Sequence, residues 1–430
     1  MSVSFLQRFS FVIMKILLAF IVILSFTVLS GLAQLTDVPQ DALVQLFYAN
    51  NHQQIVWFSS DKMKDRAGEW LAAIELQDIN PLANQKQQIK KLRSVLSQKY
   101  LNANSQDMET DKQITSLVLH FLKDQQQGHL HFEYDEISLS RDSVYVNQLL
   151  TLNENVTVAK FLTSIESKDP AYVLLKNYLK DSLTPKDVLK SKCIKLAMNY
   201  RLYFGINHQT EYVVVNIPSA EAEYYKDDNL VISMRVVVGR KLNPTPVFAS
   251  YITNIVTFPY WNVPFTIAGK EILPKVQKDE KYLEQNNYDV VDYKGNDVDE
   301  KDLNWSKYTE RTFPYFFRQS TGSDNALGVL KFNLKNPFSI FLHATSNQDV
   351  FTRTNRFLSH GCIRLEKPFE LASAVMDGEI DIEALKHDKK KTESATIFLP
   401  HKVPAYIIYM PIKIIDNKIV FLPDIYGLLD

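Results

Sequence analysis

Apolar positions along the chain change period near residue 210. Upstream, Ile114, Leu117, Val118, Phe121 and Leu122 recur at i, i+3, i+4, i+7 and i+8, which gathers them on one helix face, and Gly128 follows as a stop. The same helical character runs through most of residues 36–200. From Glu211 the period falls to two. Tyr212–Ile217, Ala220–Tyr225 and Leu230–Gly239 predict successive strands, the last two joined by a hairpin turn at Lys226-Asp227-Asp228-Asn229. Phe338–His343 and Ala405–Met410 predict two more. Between 258 and 330 strand signals thin out, one helix is expected over Lys270–Val276, and aromatic and charged residues crowd together. Helices first and strands afterwards predict an α+β chain, with a helical domain over 34–205 and a β-rich domain over 206–430 that carries an insertion at 258–330.

The first residues follow a different rule. Ile16–Leu29 is almost wholly apolar, Arg8 and Lys15 precede it, no acidic residue occurs before Asp37, and Ser30-Gly31-Leu32-Ala33-Gln34 follows. This reads as an export signal cleaved after Ala33. Counted back to Phe11, the run is also long enough to span a bilayer, with Lys15 as an interruption, so an uncleaved anchor is the second reading. Residues 1–33 are therefore set apart as signal peptide or membrane anchor. Either way the rest of the chain is expected in the periplasm or cell envelope, in contact with a membrane only through this segment.

Composition narrows the classes. A chain of 430 residues with 46% apolar composition can build two or three cores. Its 48 basic and 49 acidic residues leave a net charge of −1, so nothing favours neutralising phosphates and no nucleic-acid partner is implied. There are two cysteines. In an exported chain they invite a disulfide, yet Cys193 lies in the helical pattern Lys192–Met198, where it reads as a core residue. A bridge would also consume the more informative thiol.

That thiol is Cys362, in Ser359-His360-Gly361-Cys362-Ile363-Arg364, with His343 nineteen residues upstream. A free thiol has a pKa near ~8.5, so at neutral pH it needs an imidazole to take its proton and later to protonate a leaving amine. His360, two residues away on an extended segment, has little freedom to swing onto sulfur. His343, at the end of a separate strand, is the better partner. Gly361 has no Cβ to block a carbonyl from the amides of Gly361 and Cys362, which makes them the candidate oxyanion hole. An inert buried cysteine and a zinc site of His343, His360 and Cys362 are the competing readings. The chain lacks the paired C-x-x-C spacing that usually marks zinc, so no metal and no cofactor are expected.

A histidine followed after fifteen to twenty residues by Ser-His-Gly-Cys resembles the signature of the YkuD-type L,D-transpeptidases. The likeness extends through Thr245-Pro246-Val247-Phe248, Pro259-Tyr260-Trp261-Asn262-Val263-Pro264, Lys270-Glu271-Ile272-Leu273-Pro274, Arg318-Gln319, Asn325-Ala326-Leu327-Gly328 and Asp424-Ile425-Tyr426-Gly427. Their order is that of the large periplasmic YcbB-like subgroup. The resemblance implies a helical scaffold domain, a YkuD-type catalytic domain from 206 and a cap at 258–330, in which Trp305 and Tyr308 are either cleft or packing residues. It implies 3-3 cross-linking of peptidoglycan stem peptides through a Cys362 thioester, with release of D-alanine. His343 would be general base and acid, and the Ala344 backbone carbonyl would orient it, where many relatives carry an acidic residue. His360 would orient the loop or serve the oxyanion site. Arg364 would bind a substrate carboxylate or brace the nucleophile loop, Ser359 would bind substrate or hydrogen-bond within the same turn, and Trp261 and Asn262 would line the cleft. The small peptidoglycan-binding module common in such enzymes has no counterpart pattern here. The acyl acceptor stays open: an amine gives a transpeptidase, water an L,D-carboxypeptidase, a protein lysine a tethering enzyme. A non-catalytic wall-binding scaffold would be expected to have lost Cys362 or His343.

Overall fold

The computed structural model describes residues 41–76, 83–97, 105–137, 141–184, 186–206, 209–387 and 393–429. The proposed export segment lies outside them. Among the described residues no helix is long and apolar enough to cross a membrane. The chain divides into two compact units, one ending at Glu166 but lacking 127–139, the other made of 127–139 and everything from Ser167.

The first unit is helical: α1 (Ala42–Asn50), α2 (Asp61–Leu76), α3 (Ala83–Leu96), α4 (Ser105–Gln127), α5 (Asp142–Leu150) and α6 (Val158–Ile165). The apolar stripe of α4 is buried as its spacing requires, with Ile114, Val118 and Leu122 fully enclosed. One polar residue is buried with it. Asp111 accepts hydrogen bonds from the Tyr48 hydroxyl and from the backbone N–H groups of Val56 (3.1 Å) and Trp57 (2.6 Å), which ties the loop after α1 to the central helix. A buried carboxylate is tolerable when its oxygens are met in this way.

The second unit begins with helices and ends with strands. Asp169 caps α7 (Pro170–Asp181) through the Tyr172 N–H (3.1 Å) and grips Arg201 of α8 (Val188–Ile206) at 2.7 and 2.9 Å. Compactness thus places 167–206 with the strands, because Tyr200 and Tyr203 of α8 pack against Val214, Tyr406 and Ile408.

The strands, in chain order, are β1 (Tyr134–Asp135), β2 (Glu211–Asn216), β3 (Glu221–Lys226), β4 (Asn229–Gly239), β5 (Phe248–Thr257), β6 (Trp261–Asn262), β7 (Tyr288–Val291), β8 (Phe316–Gln319), β9 (Leu330–Leu334), β10 (Phe341–His343), β11 (Phe357–Ser359), β12 (Ile363–Leu365), β13 (Ala395–Ile408), β14 (Ile412–Ile415) and β15 (Lys418–Phe421). The hairpin turn between β3 and β4 puts Asp227 and Asp228 at positive φ, the geometry such two-residue turns demand. Hydrogen bonding runs β5-β13-β2-β3-β4-β12-β10-β9 and returns from β9 to β5, so the main sheet closes on itself. Closure leaves no free edge within the ring.

Residues 258–329 leave the ring between β5 and β9 and form a subdomain of their own. Its sheet, β6-β8-β7, packs on a helical run over 265–276 whose middle, Ala268–Ile272, widens to a π-turn. Trp305 is buried in this small core, with its ring centroid 6.1 Å from Phe313 and 6.3 Å from Phe317, so it is a packing aromatic. Tyr308 sits at the edge of the same cluster.

Candidate active site

Three neighbouring strands bring the chemistry together. In the parallel pair β10–β12, Leu342 faces Ile363 and His343 faces Arg364, while antiparallel β9 sets Lys331 opposite His343. Side chains alternate between faces, so Leu342 and Ile363 go into the core, both fully buried. Lys331, His343, Arg364 and, two residues further along, Phe341 and Cys362 share the other face. A histidine at the end of one strand and a cysteine at the start of the next are thereby made diagonal neighbours.

The imidazole is fixed. His343 is buried, and its Nδ1 lies 2.6 Å from the Ala344 carbonyl oxygen. A carbonyl can only accept, so Nδ1 carries the proton and Nε2 presents its lone pair. Burial lowers the His343 pKa to about 3, Arg364 and Lys331 push the same way, and the bonds to the Ala344 and Leu327 backbone oppose them. The ring is therefore neutral in the free protein.

The thiol is neutral as well. Burial raises the Cys362 pKa, against the Phe341 backbone N–H, Lys331 and Arg364, which favour the thiolate. Sγ points to the Ser339 carbonyl oxygen at 3.7 Å, and Ser339 itself stands at φ +57°. The resting pair is thiol and imidazole, not thiolate and imidazolium. Alkylation of Cys362 by iodoacetamide is accordingly expected to speed up with pH about tenfold per unit, with its midpoint above the ordinary thiol value of ~8.5. A rate already level at pH 7 would contradict this.

The nucleophile loop is held from behind. Gly361 adopts φ +117°, open to glycine, and an added Cβ would sit 3.0 Å from Ile340 Cδ1. Its carbonyl accepts from Thr245 Oγ1 at 2.7 Å, and that hydroxyl in turn accepts from the Gly239 N–H at 2.9 Å. Tyr426 closes the cluster, donating to the Gly239 carbonyl (2.6 Å) and accepting from the Thr245 N–H (3.2 Å).

The other residues singled out in the sequence fall at different places. Ser359 is buried and its Oγ takes the Gly361 N–H at 3.1 Å, so that amide is engaged inside the loop and Ser359 must release it before it can serve an oxyanion. His360 turns towards the insert: its Nε2 is 2.7 Å from Glu271 Oε1 and 2.8 Å from Arg240 Nη2. It thus links the loop to the π-turn, away from the thiol's own contacts. Arg364 lies beside the imidazole, with its Nε buried and without a hydrogen-bond partner. Trp261 packs on Tyr288 with centroids 6.3 Å apart, and Asn262 beside it is exposed. Sequence reasoning missed Lys331, Ser339, Thr245, Arg240 and Glu271 as neighbours of the site. Two of these, Thr245 and Glu271, lie in segments that carried the resemblance.

Cys193 and Cys362 are both free thiols. Among the described residues no group of three or more His, Cys, Asp or Glu side chains could hold a metal ion.

Comparison with known proteins finds relatives of both parts of the chain. Residues 210–383 match the YkuD family, the L,D-transpeptidase catalytic domain, and residues 42–179 match the Scaffold domain family. A Haemophilus influenzae protein provisionally named an L,D-transpeptidase is 35% identical over 286 residues, covering 66% of this chain, which in turn spans 58% of that relative's length. Among solved structures, an L,D-transpeptidase from Mycobacterium smegmatis is 12% identical, with coverage of 46% of this chain and 58% of that one and a TM-score of 0.24. L,D-transpeptidase 3 from Mycobacterium tuberculosis is likewise 12% identical, with coverage of 46% and 61% and a TM-score of 0.23. Overlaps that low add no weight to the assignment, which rests on the two family matches and the Haemophilus relative. The chain carries a YkuD-type L,D-transpeptidase catalytic domain preceded by a Scaffold domain.

Proposed function

We propose that this protein is an exported peptidoglycan L,D-transpeptidase that forms 3-3 cross-links between stem peptides. The observation that carries the reading is the β10–β12 register, which sets Cys362 and the Nδ1-protonated His343 on one face of adjacent strands. His343 Nε2 takes the Cys362 proton as Sγ attacks the carbonyl of the diamino acid that precedes the terminal D-alanine. The C–N bond breaks, and the imidazolium returns its proton to the leaving amine. The side-chain amine of a second stem then attacks the thioester, its proton passing to His343 and on to the departing thiolate. No cofactor enters the balance, because the new amide replaces the old one.

Nothing in this scheme needs the thiolate to persist beforehand. A neutral pair that passes its proton only as the S–C bond forms protects the nucleophile between turnovers. Residues 1–33 would direct the chain to the periplasm or hold it on the inner membrane, and the Scaffold domain would present the catalytic unit to the wall.

Incubating the purified protein with disaccharide tetrapeptides and weighing the products tests the reading. Cross-linked dimers with one D-alanine lost per link are expected. Tripeptides alone would make it an L,D-carboxypeptidase, and unchanged substrate would overturn the assignment.

A further inference from the structure

The row Lys331–His343–Arg364 places a cation on each side of the imidazole, and among the described residues neither cation has an acidic partner. Some other arginines of this unit do have carboxylate partners, whereas Arg356, among the described residues, bonds only to backbone carbonyls. Arg235 pairs with Glu366, Arg201 with Asp169, and Arg318 with both Asp289 and Asp297. Lys331 instead rests over the Phe341 ring, its Nζ 4.3 Å from the centroid, and Phe341 stands 5.6 Å from the His343 ring. Arg364 keeps a buried Nε with no partner. Burial lowers the pKa of both groups, and the one negative charge either would feel is a Cys362 thiolate. Two partly buried cations are costly unless something compensates them. The thiol is neutral at rest, so the compensation has to arrive from outside.

We propose that Lys331 and Arg364 form a carboxylate subsite that holds an anionic group of the donor beside the carbonyl attacked by Cys362. The proposal deepens the transpeptidase reading and rests on it for the substrate. The row lies two residues from Cys362, about 7 Å along the strands, within reach of these two long side chains. A stem tetrapeptide offers two carboxylates near the scissile bond: the terminal one of the leaving D-alanine, and that on the side chain of the diamino acid when it is diaminopimelate. Either one, seated between the cations, supplies the countercharge they lack, lessening their push on the imidazole and also their support of the thiolate.

Charge at the thiol can be read without any peptide substrate. Cys362 in the full-length protein is alkylated with anionic iodoacetate and neutral iodoacetamide at equal pH, and the modified peptide is quantified by mass. The iodoacetate-to-iodoacetamide rate ratio is expected to exceed that of a cysteine reference peptide by about tenfold or more at low salt, and to shrink as salt rises. Lys331→Met and Arg364→Met should each lower it towards the reference, with folding checked by thermal melting. A wild-type ratio equal to the reference at every salt concentration overturns the subsite, and that arm needs no variant to fold.

Donor analogues then identify the carboxylate. A tetrapeptide with a C-terminal amide and one with lysine in place of diaminopimelate are compared with the native donor. The analogue whose KM rises about tenfold or more names the group, and that penalty should vanish in Lys331→Met. A high alkylation ratio with no turnover of any stem peptide would sink the transpeptidase reading and leave the subsite standing. A flat ratio with both analogues used as well as the native donor would do the reverse.

Discussion

Cys362→Ala is expected to lower D-alanine release from a tetrapeptide donor by on the order of 10⁴-fold or more, because the chain then has no group to carry the acyl. The melt should stay within about 2 °C of wild type, since Cys362 gives up little more than its 3.7 Å contact to the Ser339 carbonyl and the Phe341 N–H. His343→Gln should produce a loss of similar size. The informative variant is the double one. Thiol and imidazole act in the same step, so removing both should cost no more than removing either. Initial rates of D-alanine release for the four proteins check this. Full additivity would show that His343 serves something other than the Cys362 proton.

The second large effect is on the fold around the site. Gly239 ends β4, and a Cβ there would meet Asn243 O at 2.2 Å, Thr245 N at 2.6 Å and Pro244 C at 2.9 Å. All three are backbone atoms, so no side chain can swing aside. Gly239→Ala must therefore displace the 243–245 segment, and with it the Thr245 hydroxyl that holds the Gly361 carbonyl. The cost is expected at about 3 kcal/mol, the upper end of ordinary overpacking. In a unit this large that corresponds to a melt lowered by roughly 6–12 °C. Turnover should fall further than stability alone explains, since the surviving folded protein holds Cys362 less firmly. A melt within 2 °C of wild type would show that the segment yields without strain. Gly68 provides the comparison: it is helical with open space around it, and its alanine variant should be neutral or slightly stabilising.

These sites were not equally visible in the sequence. Cys362 and His343 could be read because their chemistry is written in local neighbours and in a strand ending at the histidine. The β2–β4 meander could be read because alternation and a polar turn agreed. β13 was caught only in its second half. Its first half pairs with β5 across an irregularity between Phe398 and Val403, and Pro400 and His401 fall within it, which breaks the apolar alternation. Lys331 was invisible for a different reason. In Leu330-Lys331-Phe332-Asn333-Leu334 a lysine between buried residues reads as solvent-facing, and only pairing with β10 turns that face towards a thiol. The engagement of the Gly361 amide by Ser359 likewise depends on loop geometry that residue types do not specify. Local order was legible where one segment sufficed, and it failed where two distant segments had to meet.

The closure of the main sheet bears on when the enzyme can come into being. β2 and β5 are complete by residue 257, but the strand that joins them spans 395–408. Until that late strand is made, both neighbours present open edges, and pairings so distant in sequence form slowly. Tyr426, which steadies the nucleophile loop through Gly239 and Thr245, comes later still. A nascent chain thus passes through an interval in which two strand edges stand open and its thiol is not yet seated. An agent that captured the 395–408 segment during that interval would stop maturation, while leaving the finished enzyme untouched.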